Sequence, residues 1–121
     1  MALLSAEEKV RLGARAALEK KAEDVMVLGL QGISAVADFF LLASAQSATQ
    51  ITAIVEAIEQ ALKTQEVRLL HSEGVPESGW LLLDYGDVVI HVFLEETRNF
   101  YALERLWGDA RRLSVEGVGR G

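Results

Sequence analysis

Two histidines, a pair of aspartates beside a turn and a serine-containing stretch ahead of a helix are the groups in this sequence whose types and spacing suit chemistry. His71 and His91 offer imidazoles for acid–base work. His91 lies inside an apolar run, where a satisfied sheet histidine or an interface residue is the better reading. Asp84 and Asp87 flank Tyr85 and Gly86, and two carboxylates so placed would suit a divalent metal in phosphoryl transfer. Asp and Gly also favour turns on backbone grounds alone, and no Gly-rich phosphate cradle accompanies them. Ala43 to Ser47 precedes a helix and would suit an anion at its N-terminus; a capping role for Ser47 explains the same residues. Neither Ser44 nor Ser47 stands in a G-x-S-x-G elbow. There is no cysteine, which removes disulfides, thiolate metal sites and cysteine nucleophiles. Two histidines are a poor basis for zinc. The expectation is no catalytic set, no metal and no cofactor.

The elements that would position these groups follow from pattern. Ser5-Ala6-Glu7-Glu8 reads as a capping box, opening a helix to about Lys20 with Val10, Ala14, Ala17 and Leu18 as its apolar stripe. Val25 to Leu28 is apolar on both faces and reads as a buried central strand. Gln31 to Ser34 is a connection. Asp38 to Ala43 is a second such strand. Ser47 to Gln50 reads as another capping box, ahead of Ile51, Ile54, Val55, Ile58 and Leu62 at helical spacing. Val67 to Ser72 alternates weakly and reads as a third strand, followed by a Gly- and Pro-containing loop over 74–79. Trp80 to Tyr85 and Val88 to Leu94 read as strands joined at Gly86-Asp87. Glu95, Glu96 and Thr97 suit the start of a last helix, with Phe100, Leu103, Leu106 and Trp107 on its apolar face. The fold expected is a single α/β domain over 1–110, a mixed sheet of about five strands flanked by helices. Residues 111–121 are expected to be a flexible tail.

The hairpin is the most informative stretch, because side chains alternate across a strand. A loop of two or four residues sets every even residue of one strand against an odd residue of the other. One face then holds Leu81, Leu83, Tyr85, Val88, Ile90, Val92 and Leu94, which is nearly pure core. The other holds Trp80, Leu82, Asp84, Val89, His91, Phe93 and Glu95. Two readings of this second face stand equal: covered by a helix, with buried partners for its polar groups, or open as an apolar patch with a polar rim.

Composition bounds the partners. The chain has 121 residues, half of them hydrophobic, and a formal charge of −6. Its acidity concentrates in residues 56–104, with ten acids against three bases. Phosphate binding needs clustered Lys and Arg, so direct sequence-specific nucleic-acid binding is not expected. An acidic face suits a basic protein surface. No apolar run reaches the ~18 residues of a membrane span, and the N-terminus shows no signal peptide. The expected place is the cytoplasm, or an organelle if a transit peptide has been removed.

Three short stretches stand out together: Lys20-Lys21-Ala22-Glu23-Asp24-Val25, Asp38-Phe39-Phe40, and Ser47 with Gln50. A more specific run follows in His71-x-Glu73-Gly74, Trp80-x-x-x-Asp84-Tyr85-Gly86-Asp87-Val88-Val89-x-His91-Val92-Phe93, and Tyr101-x-Leu103-Glu104-x-Leu106-Trp107. On these motifs the sequence resembles the ribosomal silencing factor (Iojap-like) family. Gly29 and Ala45 depart from the family pattern, which commonly has an acidic residue and a glycine there. The resemblance implies a nucleotidyltransferase-like fold without the catalytic signature, and a homodimer rather than an enzyme. It implies binding to large-subunit ribosomal protein L-fourteen, blocking subunit joining and lowering translation when nutrients are short. On that basis Trp80, Leu82, His91 and Phe93 are expected to supply contact area, with Asp84 and Glu95 meeting basic groups; Tyr85 joins them on the motif alone. The alternatives are a metal-dependent nucleotidyltransferase and a homodimeric interaction domain with another partner.

Overall fold

The structure, a computed structural model, describes residues 4–32, 35 and 37–96 and the backbone of 111–113. Helix α1 spans Ala6–Glu19. Its capping box forms as expected: Ser5 Oγ accepts from the Glu8 amide at 3.1 Å, and the Ser5 amide donates to Glu8 Oε1 at 2.8 Å. Two of the otherwise orphaned amides of the helix start are thereby satisfied. Strands β1 (Glu23–Gly29) and β2 (Phe39–Ala45) follow, then helix α2 (Ala48–Thr64). Strands β3 (His71–Val75), β4 (Trp80–Asp84) and β5 (Val88–Leu94) come next, with β6 (Arg111–Leu113) last.

The six strands form one mixed sheet in the order β3-β4-β5-β2-β1-β6. Only β2 and β5 run parallel; every other neighbouring pair is antiparallel. That central pair is buried along almost its whole length, as parallel strands with apolar residues on both faces should be. Helices α1 and α2 pack together on one face of the sheet. There Val10, Ala14, Ala17, Ile51, Ile54, Ile58 and Leu62 meet Leu41, Leu83, Val88, Ile90 and Val92. Each fully buried Ile or Leu contributes about 1.5–3 kcal/mol. Gly13 lets α1 come close: a Cβ there would stand 3.1 Å from Leu41 Cδ2. Lys9 ties the same helix to the β4–β5 turn through both carboxylate oxygens of Asp87, at 3.1 and 3.2 Å.

Three expectations need correction. The third strand is not Val67 to Ser72 but His71–Val75, so Gly74 and Val75 belong to a strand, and Pro76–Ser78 is a 3-10 turn rather than an open loop. Gln50 closes only half of the second box. Its amide donates to Ser47 Oγ, but its side chain accepts from the Gln46 amide and donates to the carbonyls of Lys20 and Lys21. Residues 111–113 are not tail: they pair with β1 as an edge strand. The last expected helix, beyond Glu96, lies outside the described residues. Among the described residues no helix is long and apolar enough to cross a membrane.

Candidate functional site

The hairpin register is the one that even–odd pairing requires. Trp80 opposes Phe93, Leu82 opposes His91 and Asp84 opposes Val89. Tyr85 and Val88 close it, with the Tyr85 amide donating to the Val88 carbonyl at 2.9 Å. Gly86, at φ +92°, takes the left-handed conformation inside this turn. The face carrying Leu83, Tyr85, Val88, Ile90 and Val92 is core, as expected.

The second face is assembled in rows across the sheet. Glu73, Leu82, His91, Leu42 and Met26 are successive neighbours, and so are Val75, Trp80, Phe93 and Ser44. Its centre is a separate apolar cluster of Leu28, Leu30, Ala37, Leu42, Val89 and Phe93, with Trp80, Leu82, Met26 and Phe40 packed around it. The centre is not an open patch. His91 is 7% exposed, Phe93 1% and Tyr85, on the other face, 5%. Those three residues therefore cannot supply contact area directly. Trp80, Leu82 and Asp84 are half-buried and Glu95 is exposed, so the accessible members of the expected set lie on the rim.

His91 departs furthest from expectation. Its ring stands edge-on to Phe40 at 5.1 Å and stacks on Phe93 at 5.9 Å. Neither ring nitrogen has a hydrogen-bond partner among the described residues, so within them it is not the satisfied sheet histidine expected. Burial pushes its pKa down to about 4, which keeps it neutral near pH 7. Tyr85 is pushed the other way, up to about 12, first by burial and then by the Glu59 carboxylate.

Both aspartates beside the turn are occupied. Asp84 Oδ1 accepts from the Gly86 amide at 2.7 Å, and Asp87 holds Lys9. No group of three His, Asp or Glu residues able to hold a metal occurs among the described residues. The anion reading of 43–47 also fails. The start of α2 is capped by Ser47 and Gln50, and the cleft at the ends of β2 and β5 is lined by Ala45, Gln46, Leu94, Glu95 and Glu96, where two carboxylates repel an anion.

Trp80 has a positioning partner that sequence reasoning missed. Gly74, at φ +85°, lies under the indole, and a Cβ there would fall 2.8 Å from Trp80 Cε3 and 2.4 Å from its carbonyl oxygen. The adjacent β3 is exposed at all five residues, and sequence reading had split it between a strand and a loop.

Known proteins share this chain's sequence and fold. A family described as "Ribosomal silencing factor during starvation" matches residues 4–120. A protein of Halalkalibacterium halodurans named ribosomal silencing factor RsfS is 41% identical over 95% of this chain and 98% of its own length. A mouse protein named "Mitochondrial assembly of ribosomal large subunit protein 1" is 32% identical over 74% of this chain and 40% of its own. A crystal structure of a Chromobacterium violaceum protein superposes with a TM-score of 0.83 at 29% identity, covering 97% of this chain and 98% of that one.

Proposed function

The chain belongs to the ribosomal silencing factor family, and from that premise we propose that it binds the large ribosomal subunit through protein L-fourteen. Occupying the surface that meets the small subunit, it blocks subunit joining and represses translation when nutrients are limiting. It acts by binding rather than catalysis, in the bacterial cytoplasm, and is a homodimer when free. The observation that carries this reading is the rim of the second face. A half-buried Trp80 and Leu82 stand beside Asp84 and Glu95 on an acidic chain, an aromatic anchor with carboxylates suited to a basic ribosomal protein. The name of the mouse relative, with its reference to the large ribosomal subunit, supports the choice of subunit.

Sedimentation with purified ribosomal subunits through a sucrose gradient tests it. The expected result is co-migration with the large subunit and fewer joined ribosomes. An interface Trp commonly costs ~2 kcal/mol or more on truncation, about thirtyfold in affinity. Trp80→Ala should therefore weaken large-subunit binding on that scale while thermal unfolding stays cooperative. An affinity within twofold of the parent would remove Trp80 from the contact.

A further inference from the structure

One edge of the sheet is open. No described strand lies beyond β3, and each of its residues is exposed. The large apolar side chains most exposed among the described residues, Leu70 at 62% and Val75 at 53%, bracket this strand. An edge strand presents a row of unpaired N–H and C=O groups, which is a template for another strand. Short length, a charge and a proline blunt such edges, and β3 has five residues, Glu73 at its centre and Pro76 at its end. Long, indiscriminate pairing is thereby prevented, but a short slot remains.

Charge selects the occupant. Glu73 is exposed on this strand and Glu77 on the turn that follows it, and the imidazole of His71 contacts Glu73 at 3.1 Å. Two copies of β3 paired about Glu73 would set like charges opposite one another, which is destabilising, and would bring together two chains of charge −6. A basic segment meets neither penalty. The edge is also continuous with the rim: in the β3–β4 register, His71 opposes Asp84, Glu73 opposes Leu82 and Val75 opposes Trp80.

We propose that the free edge of β3, His71–Val75, takes up an extended basic segment of the ribosomal partner as an added strand. Main-chain hydrogen bonds supply the pairing, Glu73 meets a Lys or Arg, and Leu70 and Val75 cover apolar side chains of the incoming strand. This rests on the large-subunit binding proposed above.

The test is amide hydrogen exchange of the full chain, free and mixed with purified large ribosomal subunits, beside sedimentation of the same mixture. Outward-facing amides within 71–75 should exchange at least tenfold more slowly in the complex. Glu73→Lys should weaken binding at least tenfold with an unchanged melting temperature. Binding without protection at 71–75, or with Glu73→Lys within twofold of the parent, overturns the added strand and leaves large-subunit binding standing. Protection that rises with protein concentration alone assigns the edge to a second copy and overturns the proposal. If the parent chain fails to sediment with large subunits, the function proposed above falls, and this inference with it.

Discussion

A neutral imidazole held between Phe40 and Phe93 makes folding sensitive to acid. Unfolded, His91 titrates near 6.5; folded, near 4. Above pH 6.5 both states are neutral and the residue adds no pH dependence. Between 6.5 and 4 the unfolded chain takes up a proton that the folded chain refuses, so stability falls by about 1.4 kcal/mol per pH unit. At pH 5 the loss is roughly 2 kcal/mol. His91→Leu removes that term, and it also replaces two buried nitrogens that have no partner among the described residues with an apolar group. Urea unfolding at pH 7 and pH 5 should show the variant at least as stable at pH 7, and losing about 2 kcal/mol less than the parent on acidification. Equal losses in the two proteins would mean that His91 does not titrate between the states. The strand position of His91 was legible in the alternation of its neighbours. Its apolar surroundings were not, because these depend on Phe40 and Leu42, which reach it from a strand distant in sequence.

Elements were legible where one face is buried, and least so where none is. The faces of β4 and β5 could be read because a loop of two or four residues gives the same even–odd pairing; the individual pairs, such as Trp80 with Phe93, needed the folded hairpin. Strand β3 could not: exposed throughout, it carries no period-two pattern, and its Gly74 and neighbouring Pro76 imitate a loop. The three residues of β6 follow the same logic, since so short an edge strand needs β1 to define it. At the start of α2, the spacing of Ser47 and Gln50 indicated a cap but not its reach. Gln50 joins the helix to the end of α1 through the carbonyls of Lys20 and Lys21, the latter at φ +64°. Gln50→Ala should cost about 1–2 kcal/mol, read as a fall in the urea midpoint. An unchanged midpoint would show these bonds to be replaced by water at no cost. Gly74→Ala strains a left-handed position and strikes the Trp80 indole, so it should shift Trp80 fluorescence in a Trp107→Phe background. An unshifted spectrum would show that Gly74 does not hold the ring.

At the scale of the whole molecule, charge governs approach more than grip. An acidic chain meeting a basic surface associates faster at low salt. Glu95→Lys should slow association with large subunits and flatten its salt dependence, measured by stopped-flow at two ionic strengths; rates that respond to salt as the parent's do would place Glu95 away from the contact. Glu95 is the better probe than Asp84, whose carboxylate also holds the Gly86 amide. The central pairing of β2 with β5 could not be read locally, because it joins Phe39 to Val88. It also bears on how the protein is made. Translation proceeds at ~5–20 residues per second, so the nascent chain waits several seconds between delivering β2 and delivering its parallel neighbour. Through that interval β2 has β1 on one side and nothing on the other, and the helical layer has only half a sheet beneath it. Folding is thus deferred until residue 94 has cleared the exit tunnel, and a ribosome stalled between β2 and β5 would carry an apolar strand edge ready for chaperones or for aggregation.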